Sequence, residues 1–599
     1  MTNEGSPART RVAVVLVGAA FVAVHAHLLW DFLPNRAGFL GHDYNYFLPW
    51  LLEGMQQATL SGPWASPPFS PAFCGGVPWA ANPQSVFFSL PQWLAFLGGP
   101  IAGVRGMVVV MGLCALFGGY ALARTGLSAP RGAAMFAGVL FLYNGFFIDR
   151  MIVGHLTMHG VMLLPAMLAL ALRPRAVWNQ EVIGVAAMSG LALYWLHSGA
   201  GTLLLPFALA LAGAVLTREV LLGLSTRAWA RLTAAAVVAA LLGAGKLVAA
   251  QSFLAEFPRS WPAVGGFDGI VQSVGASVRL LALGPAALQP SEIVGEHWHV
   301  ARHEVEVSVS PVPLWFIALA LVLAWRSGQL RAAVRERGRL VRAGLLLVVV
   351  AVPVVLNAHG NAANAVLISL PILRESATHV RWLIALIPAI VIACVLGAAV
   401  IARATRTGAW VVAFASLGVA AFQLQVDRSA YQGERYDPRA IERHAAQLLA
   451  GAPPQAITTI EAHIDVNGTM QRSADINDGL VRGASPALCY EPVFGYRLER
   501  FPSGSLHPGA VDEVDAGTAS LNLKDPSCYV WPNANQCEPG AHFSLARAKD
   551  ARAFAQRRPF PFRVSAAQRL ADGVSGVTAV AMAVTLLVAL AAMVRRRQR

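Results

Sequence analysis

Residues 12–46 read VAVVLVGAAFVAVHAHLLWDFLPNRAGFLGHDYNY, an apolar run that leads into a polar, aromatic motif. The run 12–30 is almost wholly apolar and long enough to cross a bilayer as a helix. Asp43 follows it, within His42-Asp43-Tyr44-Asn45-Tyr46. A carboxylate near the end of a span is solvated, paired or functional, because its charge is unfavourable in lipid. Asp43 is therefore the first candidate functional residue.

The composition is that of a polytopic membrane protein. Of the 599 residues, 13% are charged and 56% hydrophobic, and the mean hydropathy is +0.54. A soluble domain of this size needs more charge on its surface. The net charge of +14 would suit nucleic acid, but the arginines recur singly or in short runs between apolar segments, as the positive-inside rule describes. We therefore expect no nucleic-acid partner.

Hydropathy predicts about twelve membrane spans. The first is expected to be a retained helix, because the sequence AHLLWD at its end is not a small-residue cleavage site. The predicted spans are 12–33, 101–122, 133–148, 151–172, 181–198, 201–217, 232–252, 311–325, 343–357, 380–402, 408–424 and 574–594.

The arginines support a single orientation of these spans. If the N-terminus is cytoplasmic, every second connection should be rich in arginine. The arginines that fit this alternation are Arg9, Arg11, Arg124, Arg131, Arg173, Arg175, Arg218, Arg227, Arg231, Arg326, Arg331, Arg335, Arg337, Arg339, Arg342, Arg403, Arg406 and Arg595 to Arg597. We expect a multi-pass membrane protein with both termini cytoplasmic.

The predicted fold is a transmembrane bundle over 1–424, an extracytoplasmic domain over 425–573, and a last span with a basic cytoplasmic tail over 574–599. About half of the acidic residues lie in 425–573. That segment is long enough to bury its own core, and we expect a mixed α/β domain. The other long outward parts are 34–100 and 253–310. The sequence has no nucleotide-binding glycine motif, so a cytosolic nucleotide site lacks support.

The segment 61–93 is rich in proline, tryptophan and phenylalanine and cannot form one long helix. Its aromatic residues suit a membrane–water interface. Two interpretations remain open for this segment: an interfacial loop that caps the bundle, or a lid or lateral gate over a site that faces lipid.

The order of several short motifs resembles the GT-C superfamily of integral membrane glycosyltransferases, and in particular the YfhO-like bacterial membrane proteins. The resemblance covers roughly residues 12–400. Leu373-Arg374-Glu375-Ser376 with Arg381 departs from the family's Arg-x-Pro-x-Arg stretch by a serine in place of proline and by wider spacing. The matching pieces are Gly41-His42-Asp43-Tyr44, Gly75-Gly76-Val77-Pro78, Ala81-Asn82-Pro83-Gln84, Asn144-Gly145-Phe146, Asp149, Gly154-His155, Gln251 and Glu256-Phe257-Pro258-Arg259-Ser260.

The resemblance implies a GT-C-like bundle and a polyprenyl-phosphate-linked sugar donor, consumed at the outer face of the membrane. It also implies that the catalytic acidic residue lies in the first outward loop, with a second one often in the next. The acceptor would be a glycan, a lipid or a protein of the cell envelope.

Transfer from a lipid phosphate needs a base for the acceptor hydroxyl and positive charge for the leaving phosphate. Asp43 is the predicted base, and the alternative for it is a helix cap or a solvated interfacial carboxylate. Asp149 is the second candidate, to orient Asp43, bind the acceptor or help hold a metal, unless it only pairs with Arg150. His42, Tyr44, Arg150 and His155 are expected to contact the sugar or the acceptor.

The leaving phosphate should meet a cation at the outward end of the bundle. Lys246 is the only lysine before the C-terminal domain and lies within an apolar helix, where it either binds phosphate or snorkels to water. Arg259, Arg374 and Arg381 are the other predicted phosphate ligands, since the guanidinium fork matches phosphate.

Metal ligands are weakly indicated. His155 and His159 share one helical face, but no firm third ligand accompanies them. The segment 292–304 contains His297, His299, His303 and Glu304 without zinc-type spacing, which favours a solvated or acceptor-binding loop. No metal ligand is assigned, no cofactor is required, and a divalent metal stays open.

Cysteines in the outward parts can form disulfides in an oxidising compartment. Cys528 and Cys537 bracket a turn-rich loop and are the predicted pair, with Cys489 as an alternative partner for either. Cys74 either stays free or pairs across to the C-terminal domain.

Three functions therefore remain open. The first is a membrane glycosyltransferase with Asp43 as base. The second is a transporter or flippase of a lipid-linked sugar, which would spread polar residues through the bundle. The third is an inactive envelope-assembly factor, in which Asp43 and Asp149 need not meet. The gathering of polar residues at the outward ends favours the first.

Overall fold

The computed structural model describes most of the chain, and the fold below concerns that part alone. Within it the chain is mostly helical. The predicted span 12–33 lies outside it except for three single positions. The described residues are 19, 23, 26, 40–174, 176–257, 266–289, 292, 302–326, 335–370, 373, 379–404, 408–426, 436–464, 470–471, 477–489 and 506–597.

Helices account for most of the described elements. The α-helices are α1 (Tyr44–Ser61), α2 (Leu90–Gly98), α3 (Pro100–Ala121), α4 (Arg131–Leu142), α5 (Gly145–Val153), α6 (Leu164–Leu172), α7 (Trp178–His197), α8 (Leu204–Leu222), α9 (Thr226–Leu242), α10 (Ala244–Glu256), α11 (Gly269–Leu283), α12 (Val312–Arg326), α13 (Arg337–Leu356), α14 (Ala362–Ser369), α15 (Ile387–Ala404), α16 (Gly408–Gln425), α17 (Arg439–Leu449), α18 (Ser527–Val530), α19 (Pro532–Asn535), α20 (Ala548–Ala555) and α21 (Ala566–Arg597).

Short 3₁₀ segments and one π-helical turn connect several of these helices. The 3₁₀ segments are Leu156–Leu163, Ala200–Leu203, Pro285–Ala287, Arg302–Glu304, His379–Leu386, Asp478–Arg482 and Leu545–Arg547, and the π-helical turn is Leu122–Gly126.

Six or seven of the described helices are long and apolar enough to cross a membrane, fewer than the twelve expected from hydropathy. The seventh is the pair α9 and α10, which is bent by 68°. The other predicted spans are shorter apolar helices, less apolar helices such as α7, or lie outside the described residues. The six are Pro100–Gly126, Arg131–Val153, Ala200–Leu222, Arg337–Leu356, His379–Arg403 and Ala566–Arg595.

Glycines interrupt two of the predicted spans. The segment 151–172 does not form one helix, because Gly154 adopts a φ of 106° and a 3₁₀ turn follows it. The segment 232–252 is broken between α9 and α10, which meet at Gly243. Hydropathy averages over such breaks and therefore does not reveal them.

Helix α1 is a buried element, although the sequence places it in an outward loop. Its buried residues include Trp50 and three polar side chains, Glu53, Gln56 and Gln57. Trp50 stacks on Phe73, with ring centroids 5.2 Å apart. The segment after α1 contributes a two-stranded sheet, β1 (Phe69–Ser70) with β2 (Val77–Pro78), so this region is packed under other elements.

The C-terminal region contains small sheets, in agreement with the mixed α/β character that the sequence predicts. β5 (Thr459–Glu461) pairs parallel with β8 (Ala484–Pro486) and antiparallel with β9 (Gly509–Ala510). A second sheet has the order β10 (Val514–Asp515), β11 (Ser520–Lys524) and β12 (His542–Ser544). Two further pairs are β3 (Phe267–Asp268) with β4 (Ala358–His359) and β6 (His463–Ile464) with β7 (Met470–Gln471).

The C-terminal region is fastened to α1 and the segment after it. A disulfide joins Cys74 to Cys489, and another joins Cys528 to Cys537. The backbone of Gly75 accepts a hydrogen bond from the amide of Lys524 at 2.8 Å. These bonds restrict movement of the segment 61–93. They therefore favour the interpretation as a loop that caps the bundle over the interpretation as a lid or lateral gate.

Glu53 and Arg557 add a fully buried ion pair to this contact, with an N–O distance of 2.7 Å. Glu53 lies on α1 and Arg557 just after α20, so the pair connects the first outward element to the C-terminal region.

Candidate functional site

The motif 41–44 lies against the end of α5. The amide of Asp43 donates to the carbonyl of Val153 at 3.0 Å, and the hydroxyl of Tyr44 donates to the carbonyl of Met151. Gly154 permits this approach: a Cβ atom there would lie 2.6 Å from the amide nitrogen of Tyr44. Two motifs that are far apart in sequence, Gly41-His42-Asp43-Tyr44 and Gly154-His155, therefore form one site.

Asp43 accepts bonds from two histidines. Its Oδ2 contacts Nε2 of His155, and its Oδ1 lies 3.2 Å from Nε2 of His42. Asp43 is 7% exposed, whereas the His42 side chain is 32% exposed. The more exposed side of the carboxylate is therefore the side of His42.

Hydrogen bonding fixes the tautomer of His155. Nη1 of Arg150 lies 3.1 Å from Nδ1 of His155. A guanidinium only donates, so Nδ1 must accept and the proton must be on Nε2. His155 is therefore a neutral imidazole that donates to Asp43 while it accepts from Arg150.

Glu304 binds two arginines behind the histidines. Its Oε2 accepts from Nη1 of Arg150 at 2.8 Å and from Nε of Arg381 at 2.6 Å. Arg150 also donates to the carbonyl of Glu304 at 3.0 Å. Arg150 is fully buried, so a partner charge is required to hold it there. With Asp43, the four side chains carry two negative and two positive charges.

These contacts explain the ionisation of the carboxylates. Burial would raise the pKa of Asp43, but the contacts with His155, and secondarily with His42 and His303, lower this pKa to about 2. Burial would likewise raise the pKa of Glu304, and the charges of Arg150 and Arg381 hold it well below its ordinary value. Both carboxylates are ionised at neutral pH.

His303 lies between the two carboxylates. Its ring centroid is 5.4 Å from that of His42 and 5.1 Å from that of His155. Its Nε2 is 3.6 Å from Oε1 of Glu304, and burial lowers its pKa. The site thus contains three imidazoles around Asp43, and we call His42, Asp43, Arg150, His155, His303, Glu304 and Arg381 the Asp43 cluster.

Part of the Asp43 cluster has the spacing of a metal site. One ligand atom each from His155, His303 and Glu304 lies within 4.8 Å of the others. However, His155 is engaged by Arg150 and Asp43, and Glu304 is engaged by two arginines. A cation would have to displace these bonds, so the residues fit a metal poorly.

Lys246 does not belong to the Asp43 cluster. Its ammonium donates to the carbonyls of Ala80 and Asn82, the first at 2.6 Å. It lines a cavity formed by the first outward segment, α10 and the start of α21, and no member of the Asp43 cluster lines that cavity. Lys246 and Asp43 were predicted to converge on one site. None of the described contacts joins the two residues.

The structure describes only some of the remaining predicted residues. Asp149 is fully buried on α5, one residue before Arg150. His159 contacts the hydroxyl of Tyr194 at 2.5 Å, which makes it a buried, hydrogen-bonded histidine. Four predicted residues lie outside the described part of the chain: Arg259, Arg374, His297 and His299.

The sequence alone did not identify the role of the tripeptide Arg302-His303-Glu304. It was grouped with the preceding residues as a solvated or acceptor-binding loop, but His303 and Glu304 are buried beside Asp43 and Arg150. The one available signal was the apolar alternation after Glu304, in which Val305, Val307 and Val309 are all buried.

Comparisons with known proteins identified no relative of the chain. No protein-family model matches it, and neither the curated proteins nor the solved structures contain a match.

Proposed function

We propose that the protein is a membrane glycosyltransferase that moves a sugar from a polyprenyl-phosphate-linked donor to an acceptor at the outer face of the bacterial cytoplasmic membrane. The observation that carries the proposal is an ionised, nearly buried carboxylate, Asp43, which has a solvent-accessible side at His42 and two arginines behind its histidine partner. The order of motifs that resembles GT-C enzymes supports the same reaction.

In the proposed reaction, the oxygen of the acceptor hydroxyl forms a bond to the anomeric carbon of the sugar. The bond from that carbon to the phosphate oxygen breaks, and the lipid phosphate leaves with the electron pair. The hydroxyl proton goes to Asp43. This is an inverting displacement, and a phosphate needs no acid in order to leave.

A carboxylate of low pKa suffices for this proton. The hydroxyl becomes strongly acidic only as its oxygen bonds to the electron-poor anomeric carbon, so proton transfer late in the reaction does not need a strong base. The hydrogen bond from His155 keeps Asp43 ionised and oriented, so its function would be to position the acceptor and to receive the proton.

Arg150 and Arg381 are the proposed source of positive charge for the leaving phosphate. Both already bind Glu304, which holds them in place before substrate arrives. Arg259 and Arg374 remain proposed phosphate ligands. Asp149 remains a proposed second acidic residue, and Tyr44 a proposed wall of the acceptor site.

We further propose that the full chain has a GT-C-like bundle of about twelve spans. The short helices α6, α12 and α16, the less apolar helix α7 and the bent pair of α9 and α10 would complete it together with the segment 12–33. In this proposal the C-terminal region, which contacts the segment 61–93, lies over the outward end of the bundle and orients the acceptor.

The test is Asp43→Asn in a strain whose own copy of the gene is deleted. The variant keeps the size of the side chain but cannot accept the proton. Envelope glycans and lipids are analysed by mass spectrometry, and the product that disappears on deletion should stay absent with Asp43→Asn. The exposed Asp512 provides a matched control, since Asp512→Asn should restore the product.

Full restoration by Asp43→Asn would refute a catalytic base at this position. Accumulation of a lipid-linked sugar on the cytoplasmic side alone would instead identify a flippase.

A further inference from the structure

The cavity that Lys246 lines is separate from the Asp43 cluster. Its volume is about 330 Å³, and it is bounded by the first outward segment, the bent pair of α9 and α10, the start of α21 and the C-terminal region. Its apolar walls include Phe69, Phe88, Leu242 and Val530. Both α9–α10 and α21 are long and apolar enough to cross a membrane, so we expect the cavity to adjoin lipid.

Two opposite charges line this cavity without neutralising each other. Lys246 is held by the carbonyls of Ala80 and Asn82. Asp572 accepts from Nε2 of Gln568 at 2.8 Å. Among the described ion pairs none joins Lys246 to Asp572, so a cation and an anion are fixed at separate positions around one space.

Two further polar atoms near these charges have no partner among the described residues. They are Nε1 of Trp531, a donor, and Oε1 of Gln568, an acceptor. Trp531 is 9% exposed and Gln568 is 5% exposed, and both side chains line the cavity. Both atoms have almost no exposed surface, so a ligand pairs with them only when these side chains turn toward the cavity, and Lys246 and Asp572 are the primary ligand groups.

We propose that this cavity binds the headgroup of a zwitterionic, amine-bearing phospholipid. The phosphate accepts from Lys246 and Trp531, and the primary ammonium donates to Asp572 and Gln568. The pattern of two donors and two acceptors matches the charges of such a headgroup, and the apolar walls with their neighbouring membrane helices match its acyl chains. An anionic lipid without an amine would leave Asp572 and Gln568 unsatisfied.

The inference is independent of the proposed glycosyl transfer. It changes the expected partner of Lys246 from the phosphate of the sugar donor to the phosphate of a membrane lipid, because the cavity and the Asp43 cluster share no residue. The bound lipid would fasten α10 and α21 to the first outward segment.

The test measures lipid binding to the purified full-length protein in detergent micelles by native mass spectrometry. The probes are phosphatidylethanolamine, phosphatidic acid, diacylglycerol and soluble phosphoethanolamine. We expect phosphatidylethanolamine to bind about tenfold more tightly than phosphatidic acid, which requires an additional interaction of about 1.4 kcal/mol. We expect diacylglycerol and phosphoethanolamine to bind more weakly still.

Two variants test the contacts of the ammonium and of the phosphate separately. Asp572→Asn should remove the preference for phosphatidylethanolamine, because it weakens binding of the ammonium and removes a negative charge that opposes phosphatidic acid. Lys246→Met should weaken both lipids about tenfold, whereas Lys549→Met, at an exposed lysine, should change neither. Because Lys246 also holds the first outward segment, Asp572→Asn is the decisive variant, provided that its melting temperature equals that of the wild type.

Three results would overturn the inference. One is equal affinity of the wild type for phosphatidylethanolamine and diacylglycerol. Another is an unchanged lipid preference in Asp572→Asn. The third is binding of soluble phosphoethanolamine as tightly as the lipid, which would identify the ligand as a soluble phosphoester.

Discussion

Glu304 holds the guanidinium groups of Arg150 and Arg381 beside His155. Glu304→Gln removes the carboxylate charge that both arginines contact and weakens the charge compensation of a fully buried Arg150. Breaking a buried ion pair in this way is destabilising by about 3–5 kcal/mol. We expect a clear fall in melting temperature in detergent micelles, measured by fluorescence.

The exposed Glu538 supplies the matched control for this change. Glu538→Gln should melt with the wild type. Equal melting of Glu304→Gln and Glu538→Gln would mean that Glu304 does not hold the arginines in solution.

His303 makes the stability of the site sensitive to acid. Burial lowers its pKa below 6.5, so below pH 6.5 the unfolded chain takes up a proton that the folded site resists. Stability therefore falls as the pH drops from 6.5, by at most about 1.4 kcal/mol per pH unit for this group. His303→Gln should flatten the fall in melting temperature between pH 6.5 and 5.

Asp43 affects the stability of the fold in a separate, lower pH range. Its pKa is lowered from 3.8 to about 2, so its contribution is complete above pH 3.8 and is lost as the pH falls towards 2. The effect of His303→Gln should therefore be confined to the higher window. A pH profile unchanged by this substitution would contradict a buried, neutral His303.

At the scale of single residues, sequence reasoning selected Asp43 and His155 because each occupies a short motif, and Arg150 because it adjoins Asp149. Their proposed roles stay predictions. Sequence reasoning placed Lys246 with them because a lone lysine in an apolar helix suggests phosphate. It grouped Glu304 with a solvated or acceptor-binding loop, since nothing in the spacing of a segment 154 residues further along indicates that Glu304 pairs with Arg150. Pairing at that distance is decided by packing.

Helix α1 depends on its ion pair with the C-terminal region. Glu53 and Arg557 are both fully buried, and Ser70 adds a hydrogen bond to Glu53 at 2.8 Å. Glu53→Leu alone would leave Arg557 charged and unpaired, and we expect a loss of about 3–5 kcal/mol. The double variant Glu53→Leu/Arg557→Met removes both charges and should recover much of that loss.

Thermal unfolding of the two single variants and the double variant tests this coupling. A double variant that equals the sum of the single effects would show that the two side chains act independently. The existence of α1 was hidden from sequence analysis, because Glu53, Gln56 and Gln57 give the segment the polarity of an outward loop although the C-terminal region covers them.

The element boundaries were likewise predictable only where local sequence determines them. Long apolar runs such as Pro100–Gly126 and His379–Arg403 were predictable from hydropathy alone. The breaks at Gly154 and Gly243 were not, since a glycine within an apolar run is compatible with a continuous helix. The helical, membrane-type fold class was therefore visible in the sequence, whereas the described residues contain six or seven long apolar helices and do not confirm the full set of twelve spans.

For the whole molecule, the disulfide between Cys74 and Cys489 restricts the topology. Both cysteines must lie on the same side of the membrane, so the chain crosses it an even number of times between them. If each described membrane-type helix spans once and the bent pair counts once, six crossings lie between the two cysteines. This count agrees in parity with the topology proposed from the arginines.

Cysteine labelling tests the orientation. In a variant with Cys114 and Cys394 replaced by alanine, Ser61→Cys and Ser544→Cys should react with a membrane-impermeant maleimide added to intact cells. Arg335→Cys should react only after permeabilisation. All three positions are exposed in the fold, so a lack of reaction reports the membrane barrier; labelling of Arg335→Cys in intact cells would reject the proposed orientation.

The disulfide from Cys74 to Cys489 also has a consequence for biogenesis. Cys74 emerges early during synthesis, but its partner follows 415 residues later. If both cysteines lie at the outer face, as proposed, the bond cannot form until the intervening helices have been inserted and Cys489 has been translocated. Until then the Cys74 thiol is available to thiol oxidoreductases, so closure of this bond marks the point at which the order of insertion has succeeded.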